Sequence, residues 1–167
     1  MADAVRELGG LDILVSNAAR QHSHASIAEL TSEDFDATFK TNIYAMFWIT
    51  KAAMPHLGAG ASINTASVQA YDPSANLLDY APTKAAAFTK ALAKQVAKQG
   101  IRVNAVAPGV TKTPMHPTEN HEMLGTFHPL GRMGEASEVA SAVVFLDSAE
   151  FVTGEILHVD GGQSAGR

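Results

Sequence analysis

The chain has 167 residues, of which 46% are hydrophobic, so it is long enough to bury one sizeable core. Its net charge is −5 and it has no basic run, which argues against a nucleic-acid partner. It has no cysteine, which excludes disulfides, thiolate metal sites and thiol nucleophiles and is typical of a cytoplasmic protein. The first ten residues do not form a signal peptide and no segment resembles a membrane span, so we expect a cytoplasmic protein without a membrane partner.

The first third of the chain predicts a helix, a strand and a long helix. Residues 2–8 predict the end of a helix that stops at Gly9-Gly10. Residues 11–15 form a short apolar run, which is typical of a buried parallel strand. Residues 31–34 indicate a capped helix start, and apolar residues then recur at three- and four-residue steps, which predicts one long helix through Leu57.

The remaining elements continue the alternation. Residues 61–65 predict a second strand, and residues 79–98 predict a helix that Gly100 caps. Residues 101–106 predict a third strand, which Pro108-Gly109 ends. Residues 109–133 contain prolines and little periodicity, which is typical of a lid or binding loop. A last helix over residues 135–146 and a last strand over residues 155–159 complete the chain.

Strands that alternate with helices predict an α/β fold with a parallel sheet and helices on both faces. The helix over residues 2–8 is unusual because no strand precedes it. We therefore expect that an upstream portion of the domain is absent from this chain.

Tyr80 and Lys84 form the sharpest chemical pattern. Residues four apart on a helix share one face, so the Lys84 ammonium would lie near the Tyr80 phenol. A nearby ammonium favours the phenolate, and we therefore expect the Tyr80 pKa to lie below its usual value of about 10. Such a tyrosine can donate or accept a proton near neutral pH. The alternative is a chance pattern on a solvated helix surface.

Other polar and turn residues follow the strands. Asn17-Ala18, Ser67 and Pro108-Gly109 come where strands end, and ligands of open α/β sheets bind at the carboxyl ends of strands. Asn42 lies inside the long helix, where asparagine is unfavourable. It is either a satisfied buried amide or a group that bends the helix and binds a water.

Four segments resemble the short-chain dehydrogenases/reductases in order and spacing. They are DILVSNA at residues 12–18, TNI at 41–43, Ser67 with YAPTK at 80–84, and VNAVAPG at 103–109. The resemblance covers essentially the whole chain and is closest to the aldehyde-reductase-like, glucose-dehydrogenase-like branch. It implies the C-terminal part of a Rossmann-type doubly wound parallel sheet, with about four strands and flanking helices. Residues 1–167 would form a single partial domain without its N-terminal βαβαβ portion.

The resemblance implies an NAD(P)-dependent oxidoreductase that interconverts a small-molecule alcohol and a carbonyl, with hydride chemistry supplied by the cofactor. Tyr80 would be the general acid/base, and Ser67 would hydrogen-bond the substrate oxygen. Lys84 would lower the Tyr80 pKa and hold the nicotinamide ribose. Asn42 would position a water in a proton relay from Lys84.

The resemblance also implies a set of cofactor-binding positions. Asn17 and Ala18 would lie along the adenosine ribose, and residues 108–113 would embrace the nicotinamide. The complete set is Asn17, Ala18, Ala19, Tyr80, Lys84, Pro108, Gly109, Val110 and Thr113.

Two departures from the family pattern bear on the cofactor. Ala19 replaces a glycine, and its methyl group could crowd the cofactor. The chain also has no T-G-x-x-x-G-x-G turn, and about 80 or more residues of two βα units are absent. That turn binds the pyrophosphate, and the choice between NAD and NADP depends on a residue downstream of it. We therefore expect NAD or NADP to bind this chain alone weakly or not at all. The alternative function is a truncated, inactive remnant that folds and oligomerises.

The histidines have two readings each. His22-x-His24 could be half of a metal site, but no third ligand is near in sequence, so we expect no metal. In the long loop, His116, His121 and His128 either face the substrate or are solvated, which is the commoner case.

Two features predict association. Met46, Phe47 and Trp48 predict core or helix–helix contacts, and the resemblance implies that this helix and the Tyr80 helix pack against a partner subunit in a homo-oligomer, either a dimer or a tetramer. Without its family neighbour, the strand over residues 11–15 would be an apolar edge, which favours association. We expect a symmetry mate, the N-terminal helix or a rearranged segment to cover it.

Overall fold

The computed structural model describes residues 1–58, 60–84 and 86–165. A four-stranded parallel sheet in the order β1-β2-β3-β4 lies at its centre. The strands are Ile13–Ser16 (β1), Ala61–Thr65 (β2), Arg102–Pro108 (β3) and Ile156–Val159 (β4). Ala61 of β2 lies opposite both Ile13 and Arg102. The α/β fold and its parallel Rossmann-type sheet are therefore confirmed.

Helices connect and flank these strands. They are α1 (Ala2–Leu8), α2 (Ser32–Phe39), α3 (Ala45–Ala53), α4 (Tyr80–Thr83), α5 (Ala87–Val96), α6 (His121–Gly125) and α7 (Ala136–Ser148). The cap expected near residue 31 is confirmed, because Thr31 Oγ1 accepts the Asp34 N–H at 3.1 Å. Across the described ranges, none of these helices combines the length and apolarity needed to cross a bilayer.

The long helix predicted through Leu57 is interrupted near its centre. A π-helical turn, Lys40–Tyr44, joins α2 to α3, and a 3₁₀ turn, Met54–His56, follows α3. Asn42 is in the middle of the π turn, where the backbone ladder shifts by one residue. The helical trace is therefore continuous but locally widened at Asn42.

The single helix predicted over residues 79–98 is wrong. Helix α4 ends at Thr83 and α5 begins at Ala87, with Ala85 outside the described residues. The Thr83 hydroxyl donates to the Tyr80 carbonyl at 2.6 Å, and the Lys84 N–H bonds the Ala81 carbonyl instead. A side-chain hydroxyl thus takes the carbonyl that the next helical N–H would have used.

The two faces of the sheet are covered unequally. On one face, Leu14 and Val103 pack with residues of α3 and α5, and on the other, Ile63 and Val106 pack on Leu146 of α7. Two β1 side chains on the α7 side are partly uncovered, Ile13 at 41% and Val15 at 45% exposure. Helix α1 buries none of its residues, so the cover expected from the N-terminal helix is wrong for the described part of the chain. Pairing with a second subunit stays a prediction.

The beginning of β3 is bonded to the chain that follows α7. The Arg102 guanidinium donates to three carbonyls at the end of that helix, those of Leu146, Asp147 and Ala149. The buried Asn104 amide donates to the Val152 carbonyl and accepts the Glu155 N–H, each at 3.0 Å. These bonds fix where β4 begins, and so hold the sheet edge next to the long loop.

Candidate active site

A pocket of about 490 Å³ opens at the carboxyl ends of β1, β2 and β3. It brings together all of the predicted site residues except Asn42: Asn17, Ala18, Ala19, Ser67, Tyr80, Lys84, Pro108, Gly109, Val110 and Thr113. His116 also lines it, in agreement with one of the two readings of that residue. The other lining residues were not predicted from the sequence: Gln21, Thr65, Ala66, Val68, Gln69, Thr111, Pro114 and Met115. Most of these adjoin a predicted residue on the same loop, so position along the loop was the signal available.

Ser67 and Tyr80 are in contact at one wall of this pocket. Ser67 lies two residues beyond the end of β2 and caps a 3₁₀ turn, where its Oγ accepts the Gln69 N–H at 3.2 Å. Tyr80 is the first residue of α4 and lines the same pocket, and the neighbouring Ser67 hydroxyl acts to lower its pKa. The two hydroxyls are thus placed to contact one substrate oxygen.

Lys84 lies under the Tyr80 ring. Its Nζ is 5.4 Å from the ring centroid and donates to the Thr65 carbonyl at 3.0 Å. Lys84 lies one residue beyond the end of α4, yet its ammonium still reaches the face of the Tyr80 ring. The pair that the sequence singled out is therefore assembled, with the cation at the ring face.

Burial dominates the ionisation of this pair. It raises the Tyr80 pKa above 10.0, and the hydrogen bond with Ser67 opposes this only in part. Burial also lowers the Lys84 pKa to about 8. The expectation of a lowered Tyr80 pKa is wrong for this structure, because both side chains are desolvated and the ammonium is bonded to the Thr65 carbonyl.

Asn42 lies behind the pocket, beside a second cavity of about 110 Å³ that Thr83 and Lys84 also line. Its amide is satisfied, since Oδ1 accepts the Arg20 N–H at 2.7 Å and Nδ2 donates to the Arg20 carbonyl and to Thr83 Oγ1. It lies in the π turn, and the reading as a satisfied buried amide is confirmed, whereas the binding of a water stays a prediction. The cavity has room for more than one water between Asn42 and Lys84.

A buried carboxylate precedes Tyr80 and was missed from the sequence. Asp79 is fully buried and accepts the Thr38 hydroxyl at 2.5 Å. Arg20 reaches the same hydroxyl at 3.4 Å and forms an ion pair of 2.6 Å with Asp34. This hydrogen bonding, chiefly with Arg20, lowers the Asp34 pKa. The group ties α2 to the start of α4 and so fixes the backbone at Tyr80.

The long-loop histidines differ in environment. His116 lines the pocket, where burial and the nearby His121 lower its pKa. His128 is only 4% exposed, so the solvated reading is wrong for it. In the described ranges, no three histidine or acidic side chains gather as a metal site, and His22 and His24 have no third partner of that kind.

Comparison with known proteins gives a consistent family. A family model described as enoyl-(acyl carrier protein) reductase matches residues 1–164. The glucose and ribitol dehydrogenase homolog of Oryza sativa subsp. japonica is 46% identical in an alignment that covers 92% of this chain. The NADPH-dependent aldehyde reductase 1, chloroplastic, of Arabidopsis thaliana is 42% identical in an alignment that covers 96% of this chain.

The solved structure of ElxO with NADP bound has the same fold, with a TM-score of 0.91 and 31% identity over 97% of this chain and 71% of its own. The chain spans 57% and 59% of the length of the rice and Arabidopsis relatives. The family model nonetheless matches almost every residue present, and the relatives come from the branch that the segment around Ser67 and Tyr80 had indicated. The chain belongs to the short-chain dehydrogenases/reductases.

Proposed function

We propose that this chain carries the proton-transfer side of an NAD(P)-dependent oxidoreductase that interconverts a small-molecule alcohol and a carbonyl. The observation that carries the proposal is the convergence of Ser67, Tyr80 and Lys84 on one pocket, with Lys84 Nζ 5.4 Å from the centroid of the tyrosine ring. Tyr80 is protonated at neutral pH, because burial raises its pKa, and this suits the donor in carbonyl reduction.

Each side chain then has a distinct task. A bound NAD(P)H supplies the hydride. Tyr80 donates its proton to the carbonyl oxygen, and Ser67 hydrogen-bonds the same oxygen as negative charge develops on it. The Lys84 ammonium stabilises the phenolate that this transfer leaves on Tyr80. Waters in the cavity between Asn42 and Lys84 would return a proton to the site.

The pocket fits the nicotinamide end of such a cofactor better than its pyrophosphate. Among the described residues that line it, Lys84 is the one with a charged side chain, and that ammonium is bonded to the Thr65 carbonyl. The sequence also contains no T-G-x-x-x-G-x-G turn. Loss of about 4 kcal/mol of phosphate binding weakens affinity about a thousandfold. We therefore infer that these 167 residues alone bind NAD(P) weakly.

The test combines affinity with turnover. The purified chain is titrated with NADPH and NADH and assayed with an aldehyde at millimolar NADPH. We expect no micromolar binding and slow turnover that Tyr80→Phe lowers at least about a hundredfold, because phenylalanine cannot donate the proton. Tyr44→Phe, which removes an exposed hydroxyl from the π turn, is the matched control and retains turnover.

The second candidate is an inactive chain that folds and associates. The exposed apolar side chains of α3, among them Trp48 at 58% exposure, favour the association. Absence of any turnover by the wild-type chain, together with cooperative unfolding and a defined oligomer, would support this candidate. Micromolar cofactor affinity would instead contradict the weak binding that we infer.

A further inference from the structure

His128 is buried behind the pocket and bonded to its wall. The residue follows α6 and is 4% exposed. Its Nε2 accepts the backbone N–H of Val110 at 3.0 Å. An accepting nitrogen must keep its lone pair, so the imidazole is neutral and carries its proton on Nδ1.

The ring lies against two glycine backbones. A Cβ at Gly109 would come within 2.7 Å of His128 Nε2, and a Cβ at Gly161 within 3.1 Å of His128 Cβ. Gly161 also has a φ of +59°, which disfavours other residues. Only glycine at both places lets the imidazole approach Val110 this closely.

Packing alone does not explain a histidine here. Among the described residues, Nδ1 of His128 is buried with no hydrogen-bond partner. An unpaired buried donor is unfavourable, so a simple filler of this space would be an apolar ring. Compared with such a ring, the imidazole adds a nitrogen, Nε2, that accepts the Val110 N–H.

This bond helps to orient the segment over residues 109–113. The Val110 carbonyl accepts the Gly134 N–H at 3.0 Å, and the Lys112 N–H donates to the Gly134 carbonyl at 2.9 Å. The backbone groups of Val110 and Lys112 are thus bonded away from the pocket. Val110 and Thr111 both line the pocket, so holding the backbone of this segment sets the position of that wall.

We propose that His128, as the neutral imidazole protonated on Nδ1, is a positioning residue that sets segment 109–113 to receive the nicotinamide end of the cofactor. The ligand part of this proposal rests on the function proposed above, and the anchoring part does not. The chemistry recognised is a neutral carboxamide-bearing ring, and His128 acts on it only through the Val110 backbone.

The anchoring is tested on the ligand-free chain. His128→Phe keeps a ring but removes the acceptor, whereas His128→Gln restores an acceptor through its amide oxygen. His56→Gln changes an exposed histidine next to α3 and is the matched control. We expect nitrogen NMR to show the Nδ1-protonated tautomer, and amide exchange at Val110 to quicken at least about tenfold in His128→Phe only.

Exchange at the core residue Val106 separates a local effect from global destabilisation. Should His128→Phe not fold, His128→Asn gives the same comparison, because its shorter amide cannot reach Val110. Two results would overturn the proposal that His128 anchors Val110. One is a His128 tautomer protonated on Nε2. The other is Val110 amide exchange that is equally fast in the wild type and in the variant without the acceptor.

The ligand part uses reduced nicotinamide mononucleotide, which lacks the pyrophosphate bridge and the adenosine half. We expect His128→Phe to weaken its binding about tenfold and His128→Gln to stay within about threefold of the wild type. Equal affinities in all variants, or equal losses with Phe and Gln, would overturn positioning. The wild-type chain is also tested for binding of this probe and of NADPH. If it binds neither, both the positioning role of His128 and the cofactor site of the proposed function fail. The amide-exchange data still decide whether His128 anchors Val110.

Discussion

Tyr80 and Lys84 are among the least exposed side chains of the pocket, at 8% and 5%. Their presence in one site followed from a Y-x-x-x-K pattern placed after a strand-end serine. Their ionisation did not follow, because it depends on how deeply each is buried and on the Thr65 carbonyl that binds the ammonium. A sequence pattern indicates which groups meet, whereas desolvation is a property of everything packed around them.

The depressed pKa of Lys84 makes stability depend on pH. Its pKa is about 8 in the folded chain against 10.5 for the free group, so between these values the unfolded state holds a proton that the folded state has released. Stability therefore rises with pH across this window, by roughly 3 kcal/mol at about 1.4 kcal/mol per pH unit.

The raised pKa of Tyr80 has its effect above pH 10. The stability that it contributes is lost as the pH rises through the pKa of Tyr80 in the folded chain.

Urea unfolding of wild type and Lys84→Met at several pH values between 8 and 10 measures this difference. We expect the variant to lack the rise and to be the more stable protein at neutral pH. Lys90→Met, an exposed position on α5, should keep the rise. Parallel curves for wild type and Lys84→Met would show that Lys84 is not desolvated as the structure indicates.

At the scale of elements, the strands were the most predictable. Residues 61–65 form β2 as expected, and the other strand predictions differ from the structure by only one or two residues at an end. Central parallel strands are buried on both faces, so their apolar runs identify them directly. The π turn at Asn42 was not predictable as geometry, since Asn42 bonds to Arg20 and Thr83 across the fold. The break after Thr83 was not predictable either, because nothing in the sequence shows that the Thr83 hydroxyl bonds the Tyr80 carbonyl.

Thr83 joins these two irregularities. Its hydroxyl donates to the Tyr80 carbonyl and accepts from Asn42 Nδ2 at 2.9 Å. We expect Thr83→Val to lower the free energy of unfolding by about 1–3 kcal/mol, because it leaves a buried amide donor short of a partner. Thr83→Ser keeps the hydroxyl and should lose less. Denaturant unfolding of both variants is the measurement, and a Thr83→Val variant as stable as the wild type would show that the hydroxyl does not matter.

Over the described part of the molecule, one group of exposed apolar side chains lies on α3. Phe47, Trp48 and Ile49 are 44%, 58% and 45% exposed, so the core reading of Phe47 and Trp48 is wrong within this chain. Helical periodicity predicted one apolar face, but these side chains widen it beyond the part that packs on the sheet. An exposed apolar patch of this kind marks a protein–protein contact, which agrees with the proposed homo-oligomer.

Sedimentation velocity tests that association. We expect the wild-type chain to sediment as a dimer or tetramer and Trp48→Glu to shift towards monomer, since a carboxylate in an apolar interface must be desolvated. Ile27→Glu alters an apolar residue that is 76% exposed outside α3 and should leave the oligomer intact. A monomeric wild-type chain would contradict the homo-oligomer and the cover expected for β1 together.

The bonds from Arg102 and Asn104 to the end of α7 and the segment after it have a consequence for the order of folding. They join residues 44 to 51 positions apart, so the start of β3 cannot complete its hydrogen bonding until that later chain has been synthesised and docked. Long-range closure of this kind slows folding, because chain entropy is lost before the contacts form. On the ribosome, β3 would therefore wait, with its guanidinium and amide still hydrated, for the segment that ends α7 and begins β4.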